Sequence, residues 1–236
     1  VLDELRVCGR HETLAQQLDD YLKAQSVDAL YAKVLERLEG DVGREVVEKV
    51  MTALWASRAG LSEPELLDVT GVAPLQWAAI DLGLEGSFGR NGNQLVFDHD
   101  YLRQATEERY FPTEEAQRQK HGELANWFER LIWDQRKAEE WPWQLQHANA
   151  FNTLRSLLLS PAYLARLSEA QPSHQIAEYW KASRSSEEER LDMAIEMLVR
   201  QEIDLFGDNY EGLNHLCSQL TRLLSDLGLI GDLALW

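Results

Sequence analysis

Residues 84–97 read Leu-Glu-Gly-Ser-Phe-Gly-Arg-Asn-Gly-Asn-Gln-Leu-Val-Phe and interrupt an otherwise helical pattern. The segments 84–88 and 94–97 alternate apolar and polar residues, as half-buried strands do. Between them, residues 89–93 contain an Asn-Gly pair, which favours turn positions with positive φ. The sequence therefore predicts one β-hairpin here.

Apolar residues before the hairpin recur every three to four positions, which predicts helices. The predicted helices cover residues 14–22, 27–38 with a stop at Gly40, 46–55 ending near Gly60, 62–69 and 74–82. Ser62, Pro64 and Glu65 supply an N-cap, a first-turn proline and a capping box. A further helix runs from Tyr101 to Tyr110. Helices followed by a hairpin are typical of a winged-helix domain, which we place at residues 26–112. A helical bundle with an incidental hairpin is the alternative.

The rest of the chain again has helical spacing. The predicted segments are 114–137, 138–148, 150–158, 161–169, 173–183, 187–204, 209–226 and 230–236. We expect a helical arm over 113–207. Residues 208–236 have the apolar spacing of the start of a tetratricopeptide repeat, with an ordinary helical hairpin as the alternative. The predicted fold class is mainly α: a winged-helix domain with one small β-hairpin, followed by an α-helical, superhelical or TPR-like arm.

Charge argues against two classes of partner. The 236 residues carry a formal charge of −17, which repels nucleic acid and anionic lipid. Winged helices often bind DNA, but the candidate recognition helix, residues 73–81, contains no Lys or Arg and one Asp. The hairpin adds only Arg90, whereas phosphate contacts need several cations. We therefore expect no nucleic acid and no membrane partner.

The two cysteines, Cys8 and Cys217, cannot build a disulfide framework or a four-thiolate zinc site. They predict reduced thiols and a cytoplasmic protein. No apolar run is long enough to span a bilayer, and no signal peptide is evident. The chain begins at Val1 without an initiator Met, so we expect it to be a piece of a longer protein.

No pattern of an independent enzyme occurs. The phosphate-binding run Gly-x-x-x-x-Gly-Lys-Ser/Thr is missing, and no apolar strand ends in paired acids, so Walker A and Walker B are both absent. Neither cysteine has a histidine in a catalytic pattern. No metal-ligand spacing occurs among the six histidines, which are His11, His99, His121, His147, His174 and His215. The sequence predicts no catalytic residue, no metal site and no cofactor bound by this chain alone.

Several stretches in order nevertheless resemble one family. Residues 96–105 read Val-Phe-Asp-His-Asp-Tyr-Leu-Arg-Gln-Ala, and similar matches lie at 5–22, at 35–39, at 54–63 and in the Trp-Pro-Trp-Gln-Leu run at 141–145. Together they resemble the winged-helix domain and helical arm of NACHT-type STAND NTPases, above all nephrocystin-like and telomerase-associated members and their bacterial relatives. By this resemblance, residues 1–25 are the segment that leaves the ATPase core.

The resemblance implies a role for His99. In this family a histidine at the start of the helix after the wing contacts the β-phosphate of bound ADP and holds the resting state closed. By the same resemblance, ATP and ADP are expected in the intact protein, whose core lies upstream of Val1. An imidazole can donate a hydrogen bond to a phosphate oxygen, and Asp98 or Asp100 could cap the helix. The alternative is that His99 merely starts a helix.

The sequence thus predicts a regulatory and scaffolding part of a STAND signal-transduction ATPase. Its expected partners are the upstream NACHT core, a downstream repeat sensor and further copies on activation, and a role in innate immunity or antiviral defence is implied by resemblance. A helical-repeat protein-interaction adaptor without a nucleotide role is the first alternative. A winged-helix DNA-binding regulator is the second.

Overall fold

A computed structural model describes residues 26–184 and 210–227. These residues are mainly helical with one small antiparallel sheet of three strands, which confirms the predicted fold class. They fall into two compact units, residues 26–124 and residues 125–184 with 210–227. The predicted helices at 14–22, 187–204 and 230–236 lie outside the described residues. The predicted domain limits at 25, 112 and 207 stay predictions.

The first unit is built from the first five helices, three strands and most of a sixth helix. Their bounds are α1 Val27–Val42, α2 Arg44–Ala56, β1 Leu61–Ser62, α3 Glu63–Thr70, α4 Pro74–Gly83, β2 Phe88–Asn91, β3 Gln94–Phe97, α5 Asp100–Tyr110 and α6 Glu114–Glu129. The second unit contains the end of α6 and α7 Gln135–His147, α8 Phe151–Leu158, α9 Pro161–Ala170, α10 Ser173–Ser183 and α11 Tyr210–Asp226.

The strand order identifies the first unit as a winged helix. The sheet is ordered β1-β3-β2, so the second hairpin strand lies in the centre and both its neighbours run antiparallel to it. Strand β1 comes between α2 and α3 in the chain and pairs with β3 through Leu61 opposite Leu95. Helices α2, α3 and α4 with this sheet follow the winged-helix order. The hairpin is therefore part of the domain and not an incidental addition to a bundle.

The second hairpin strand is confirmed at residues 94–97, but the first lies later in the chain than the sequence predicted. Strand β2 covers Phe88–Asn91, not residues 84–88, because Leu84 caps α4 and residues 84–87 form a turn closed by a 2.8 Å bond from Ser87 N to Leu84 O. The connecting turn is only Gly92–Asn93, since Asn91 already pairs with Gln94. Gly92 has a φ of 62°, and a positive φ at the first turn position alone is typical of a type II′ turn.

Helix ends in the first unit follow local chemistry. The predicted capping box of α3 is confirmed: Ser62 N donates to Glu65 Oε2 at 2.7 Å, and Glu65 N donates to Ser62 Oγ at 3.4 Å. The predicted stop at Gly40 is wrong. Helix α1 continues to Val42 and ends at Gly43, which adopts a φ of 102° and donates its N–H to Glu39 O.

The break between the first two predicted helices of the arm, 114–137 and 138–148, lies earlier in the chain than predicted. The segment predicted at 114–137 ends at Glu129 as α6, and α7 begins at Gln135. Asp134 caps α7 by accepting from Lys137 N at 2.8 Å. The buried Lys137 ammonium donates to Glu129 O at 2.6 Å and to Leu131 O at 2.9 Å, so it satisfies carbonyls at the end of α6. One lysine thus stabilises both helix ends at the break.

Helix α7 contains Pro142 in its interior, within the Trp-Pro-Trp-Gln-Leu run. A proline removes the hydrogen bond that the carbonyl four residues earlier would accept. That carbonyl belongs to Ala138, and the buried Gln171 side chain donates to it and to Glu139 O, both at 3.1 Å. The amide of Gln171 therefore replaces the lost backbone bond and joins the end of α9 to α7.

No helix in residues 26–184 or 210–227 has the length and the apolar character that crossing a bilayer requires.

The close approach of Gly60 to strand β3 leads to a stability prediction. Gly60 has a φ of 89°, and a Cβ there would lie 2.2 Å from Leu95 O. We expect Gly60→Ala to lower the free energy of unfolding by more than about 2 kcal/mol, because a strained φ and a backbone clash add together. Urea unfolding of the full chain measures this loss.

Gly71→Ala is the matched control. Gly71 also has a positive φ, 66°, but no atom lies within 4 Å of its added Cβ. Gly71→Ala should therefore lower the free energy of unfolding by about 1 kcal/mol, through backbone strain alone. Equal losses for the two variants would contradict the predicted clash.

Candidate functional site at the end of the hairpin

Asp98 and His99 connect the hairpin to helix α5. Asp98 N donates to Ser87 O at 3.0 Å, which extends the ladder one step beyond the pair Phe88 and Phe97. His99 then takes the N-cap position of α5 in an extended conformation, with a φ of −136° and a ψ of 142°. The sheet and the helix thus fix the backbone of His99 from both sides.

The His99 side chain faces solvent. It is 60% exposed and makes no capping bond to α5. Its Nε2 lies 3.4 Å from Asp98 Oδ2. Gly89 lies next to this aspartate, since a Cβ added at Gly89 would lie 3.2 Å from Asp98 Oδ1. The imidazole is therefore held near one carboxylate and remains accessible to a partner.

Two opposing electrostatic effects act on an anion at this position. The free N–H groups at the start of a helix attract a phosphate oxygen, and a protonated imidazole adds a charged donor. The carboxylates of Asp98 and Asp100 repel the same anion. A single exposed histidine and one helix end do not by themselves make a phosphate site, which takes several convergent donors.

An ion pair between α1 and α5 fixes the far end of α5. Arg109 donates from Nε to Glu39 Oε1 at 2.7 Å and from Nη2 to Glu39 Oε2 at 2.6 Å. Tyr110 Oη donates to the same Oε1 at 2.7 Å. The Arg109 hydrogen bonds hold the pKa of Glu39 below its ordinary value, and burial together with the Glu39 bond raises the pKa of Tyr110. Three charge-assisted bonds on one carboxylate restrict the rotation of α5.

A second contact joins α5 to α2 and α6. The Glu107 carboxylate accepts from Trp55 Nε1 at 3.2 Å and from Gln117 Nε2 at 3.0 Å. The Trp55 ring packs against Phe111 with 4.4 Å between centroids, and the Arg103 guanidinium lies 5.3 Å from its centre. Helix α5 is therefore held along its length while its first residues stay open.

The first unit also contains a cleft of about 350 Å³ between α2 and α6. Its lysines are Lys49 and Lys120, which pair with Glu45 at 2.6 Å and with Glu123 at 2.8 Å. Since both ammonium groups already have carboxylate partners, the cleft offers little uncompensated positive charge to a phosphate. His99 does not line it.

The other four histidines of the described chain occupy unrelated places, and among them His215 is exposed on α11. His121 is buried and packs against the Trp55 ring at 5.5 Å. His147 stacks on Trp143 at 3.8 Å, and His174 is exposed in the first turn of α10. No group of three His, Cys, Asp or Glu in the described residues could hold a metal ion.

Sequence reasoning missed two features. The Glu39–Arg109 pair joins residues 70 positions apart, and no local pattern indicates it. The outer side of α4 is apolar and open to solvent, although the sequence suggested only that it lacks cations; the spacing of Leu75 and Leu82 was the available signal.

Comparison with known proteins gives two relatives. A TPR repeat-containing protein of Dictyostelium discoideum is 25% identical over 187 residues, which is 76% of this chain and 11% of that protein. Human nephrocystin-3 is 23% identical over 240 aligned residues, which is 95% of this chain and 18% of that protein. The chain thus spans less than a fifth of either relative. The second match supports the predicted similarity to nephrocystin-like proteins, and the NACHT-type STAND assignment stays a prediction.

No family model matches the chain. No solved structure matches it either.

The Glu39–Arg109 pair predicts a pH dependence. Because the pKa of Glu39 is lowered in the folded protein from its ordinary 4.5, the pair adds stability above that pH and loses it as the pH falls through the folded pKa. We expect Glu39→Gln to lower the free energy of unfolding at pH 7 by about 1–3 kcal/mol. Below pH 4.5, the free energy of unfolding should fall less steeply with pH in this variant than in the wild type. Urea unfolding across pH measures both.

Glu45→Gln is the control, since Glu45 forms an exposed pair with Lys49 that solvent screens. An acid decline that is identical in wild type and Glu39→Gln would contradict the role of this pair.

Proposed function

We propose that this chain is the regulatory and scaffolding section of a NACHT-type STAND signal-transduction ATPase. One observation carries the proposal: His99 sits exposed at the start of α5, directly after the wing, with its ring unused by the helix cap. That is the position at which the family resemblance requires a phosphate-contacting histidine. The match to nephrocystin-3 over 95% of the chain supports it.

In the proposed mechanism, His99 donates a hydrogen bond to the β-phosphate of ADP held by an upstream ATPase core. The hydrogen bonds of Arg109 and Glu107 then transmit the position of His99 to α1 and α2, since α5 is tied to both. Exchange of ADP for ATP, which the core supplies, removes the contact and releases the winged helix. The freed unit then favours assembly with further copies and signals to downstream repeats.

The chain alone is proposed not to hydrolyse ATP. Its sequence has neither the Gly-rich phosphate loop with Lys-Ser/Thr nor the paired acids after an apolar strand. Its chemical contribution is one donor and a rigid connection, whereas nucleotide binding and hydrolysis belong to the core.

A helical-repeat adaptor for protein partners is the second candidate. The observation that favours it is the match to a TPR repeat-containing protein over 76% of this chain. Such an adaptor needs no nucleotide, so in that case His99 would be a surface residue of the helix start and its removal would leave nucleotide handling unchanged.

The test uses the intact parent protein loaded with a fluorescent ADP analogue. We expect His99→Ala to speed release of the analogue by about ten- to hundredfold, because a hydrogen bond between an imidazole and a phosphate contributes about 1.5–3 kcal/mol. Stopped-flow fluorescence measures the release rate, and size-exclusion chromatography with light scattering measures the accompanying assembly.

His174→Ala is the matched control, since His174 is also exposed in the first turn of a helix but lies in the second unit. Equal release rates for wild type and His99→Ala, with no change in assembly, would contradict the proposal and favour the adaptor.

A further inference from the structure

The outer side of α4 is an apolar surface exposed to solvent. Leu75 is 84% exposed and Leu82 is 56% exposed, and Ala78 and Ala79 between them are exposed as well. The opposite side of α4 contributes Trp77 and other buried residues to the core. Helix α4 is thus apolar on both sides, whereas a helix at a protein surface normally turns polar residues outward.

The exposed residues have the spacing of a helix-packing face. Leu75, Ala78, Ala79 and Leu82 stand at positions i, i+3, i+4 and i+7, which is the stripe that one helix presents to another. The side chains of the two alanines are short, so side chains of a second helix can pack between Leu75 and Leu82. We define these four residues as the α4 face.

Charge along one edge of the α4 face is negative. Asp81 belongs to α4 and Glu85 follows the end of this helix; partial burial raises the pKa of Asp81, and the nearby carboxylates of Glu63 and Glu85 raise it further. Arg90 opposes them as a cation near Asp81. Three carboxylates against Arg90, and against Arg37 bonded to Gly83 O at the end of α4, leave a net negative charge that a cationic partner would complement.

The same charges disfavour two other occupants. DNA would meet apolar side chains and carboxylates where it requires cations. A second copy of the chain would bring the same acidic edge against this one, with a formal charge of −17 on each copy.

We propose that the α4 face is a docking surface for an amphipathic helix of another protein, whose apolar stripe is bordered by Lys or Arg. The leucines of the partner pack between Leu75 and Leu82 over the two alanines, and its cations lie along Asp81 and Glu85. This surface is independent of His99 and does not rest on the proposed nucleotide role. The position that reads DNA in other winged helices thus binds a protein helix here.

The experiment uses the full chain and a labelled synthetic helix of about 21 residues, with Leu at the a and d positions and Lys at the edges. Fluorescence anisotropy measures its binding. We expect saturable binding that weakens at least about tenfold in the double variant Leu75→Ser with Leu82→Ser, since both leucines are exposed in the free chain and add apolar area to the complex. Circular dichroism checks that the fold is unchanged.

Two controls separate this docking from non-specific attraction of a cationic peptide to an acidic protein. The double variant keeps the net charge, so non-specific binding would persist in it. Ile132→Ser removes another exposed apolar side chain, 89% exposed in the second unit, and we expect it to bind like wild type. A peptide with Glu in place of Lys should bind at least about tenfold more weakly.

Four results would overturn the proposal. These are no saturable binding of the Lys-edged peptide, binding that is unchanged in the leucine double variant, and equal affinity for the Glu-edged peptide. The fourth is self-association or duplex DNA binding that the leucine double variant abolishes.

Discussion

The bidentate ion pair between Arg109 and Glu39 joins the last helix of the winged-helix core to the first. Tyr110 adds a third bond to the same carboxylate, so α5 cannot rotate or slide along α1 without breaking charge-assisted bonds. Because these bonds fix α5 on α1, they also fix the position of its first residues. His99 can therefore remain outside the packed core, at the point where the hairpin ends, and still have a fixed place.

The residues that hold α5 in place are different from the residues at its start that stay exposed. Trp55 and Glu107 hold the middle and end of α5, whereas its first residues carry no side-chain cap. A signal that acts at His99 would reach α1 and α2 through a helix that is bonded to both. In the proposed mechanism, that is why one hydrogen bond to a phosphate can hold a whole domain. The α4 face lies on a different helix and offers different chemistry, so the two proposed contacts can act separately.

Much of the fold follows from local chemistry and could be predicted. The Ser62 and Glu65 capping box fixed the start of α3 because its bonds join residues three apart. Strand β1 could not be predicted, since two residues show no periodicity and their pairing with β3 depends on distant packing. The break before α7 was placed too late for a similar reason: it is stabilised by the Lys137 ammonium, whose bonds to earlier carbonyls no spacing rule indicates.

The candidate site was predictable only in part. Resemblance selected His99 and placed it at a helix start, but its exposure and the position of its ring beside Asp98 depend on how Asp98 continues the sheet. The α4 face shows the opposite case. The sequence shows that α4 lacks Lys and Arg. Its apolar spacing, however, fits a buried helix face as well as an exposed one. Only the fold distinguishes Trp77, which is buried, from Leu75, which is exposed.

The most direct measurement is a structure of the intact parent protein with ADP bound, determined by crystallography or cryo-electron microscopy. The quantity of interest is the distance from the nearer ring nitrogen of His99 to the closest phosphate oxygen. The proposed function predicts a hydrogen bond of about 2.7–3.2 Å to the β-phosphate, with the Arg109–Glu39 pair intact. An ADP molecule whose phosphates are contacted only by the core, with His99 facing solvent, would contradict it.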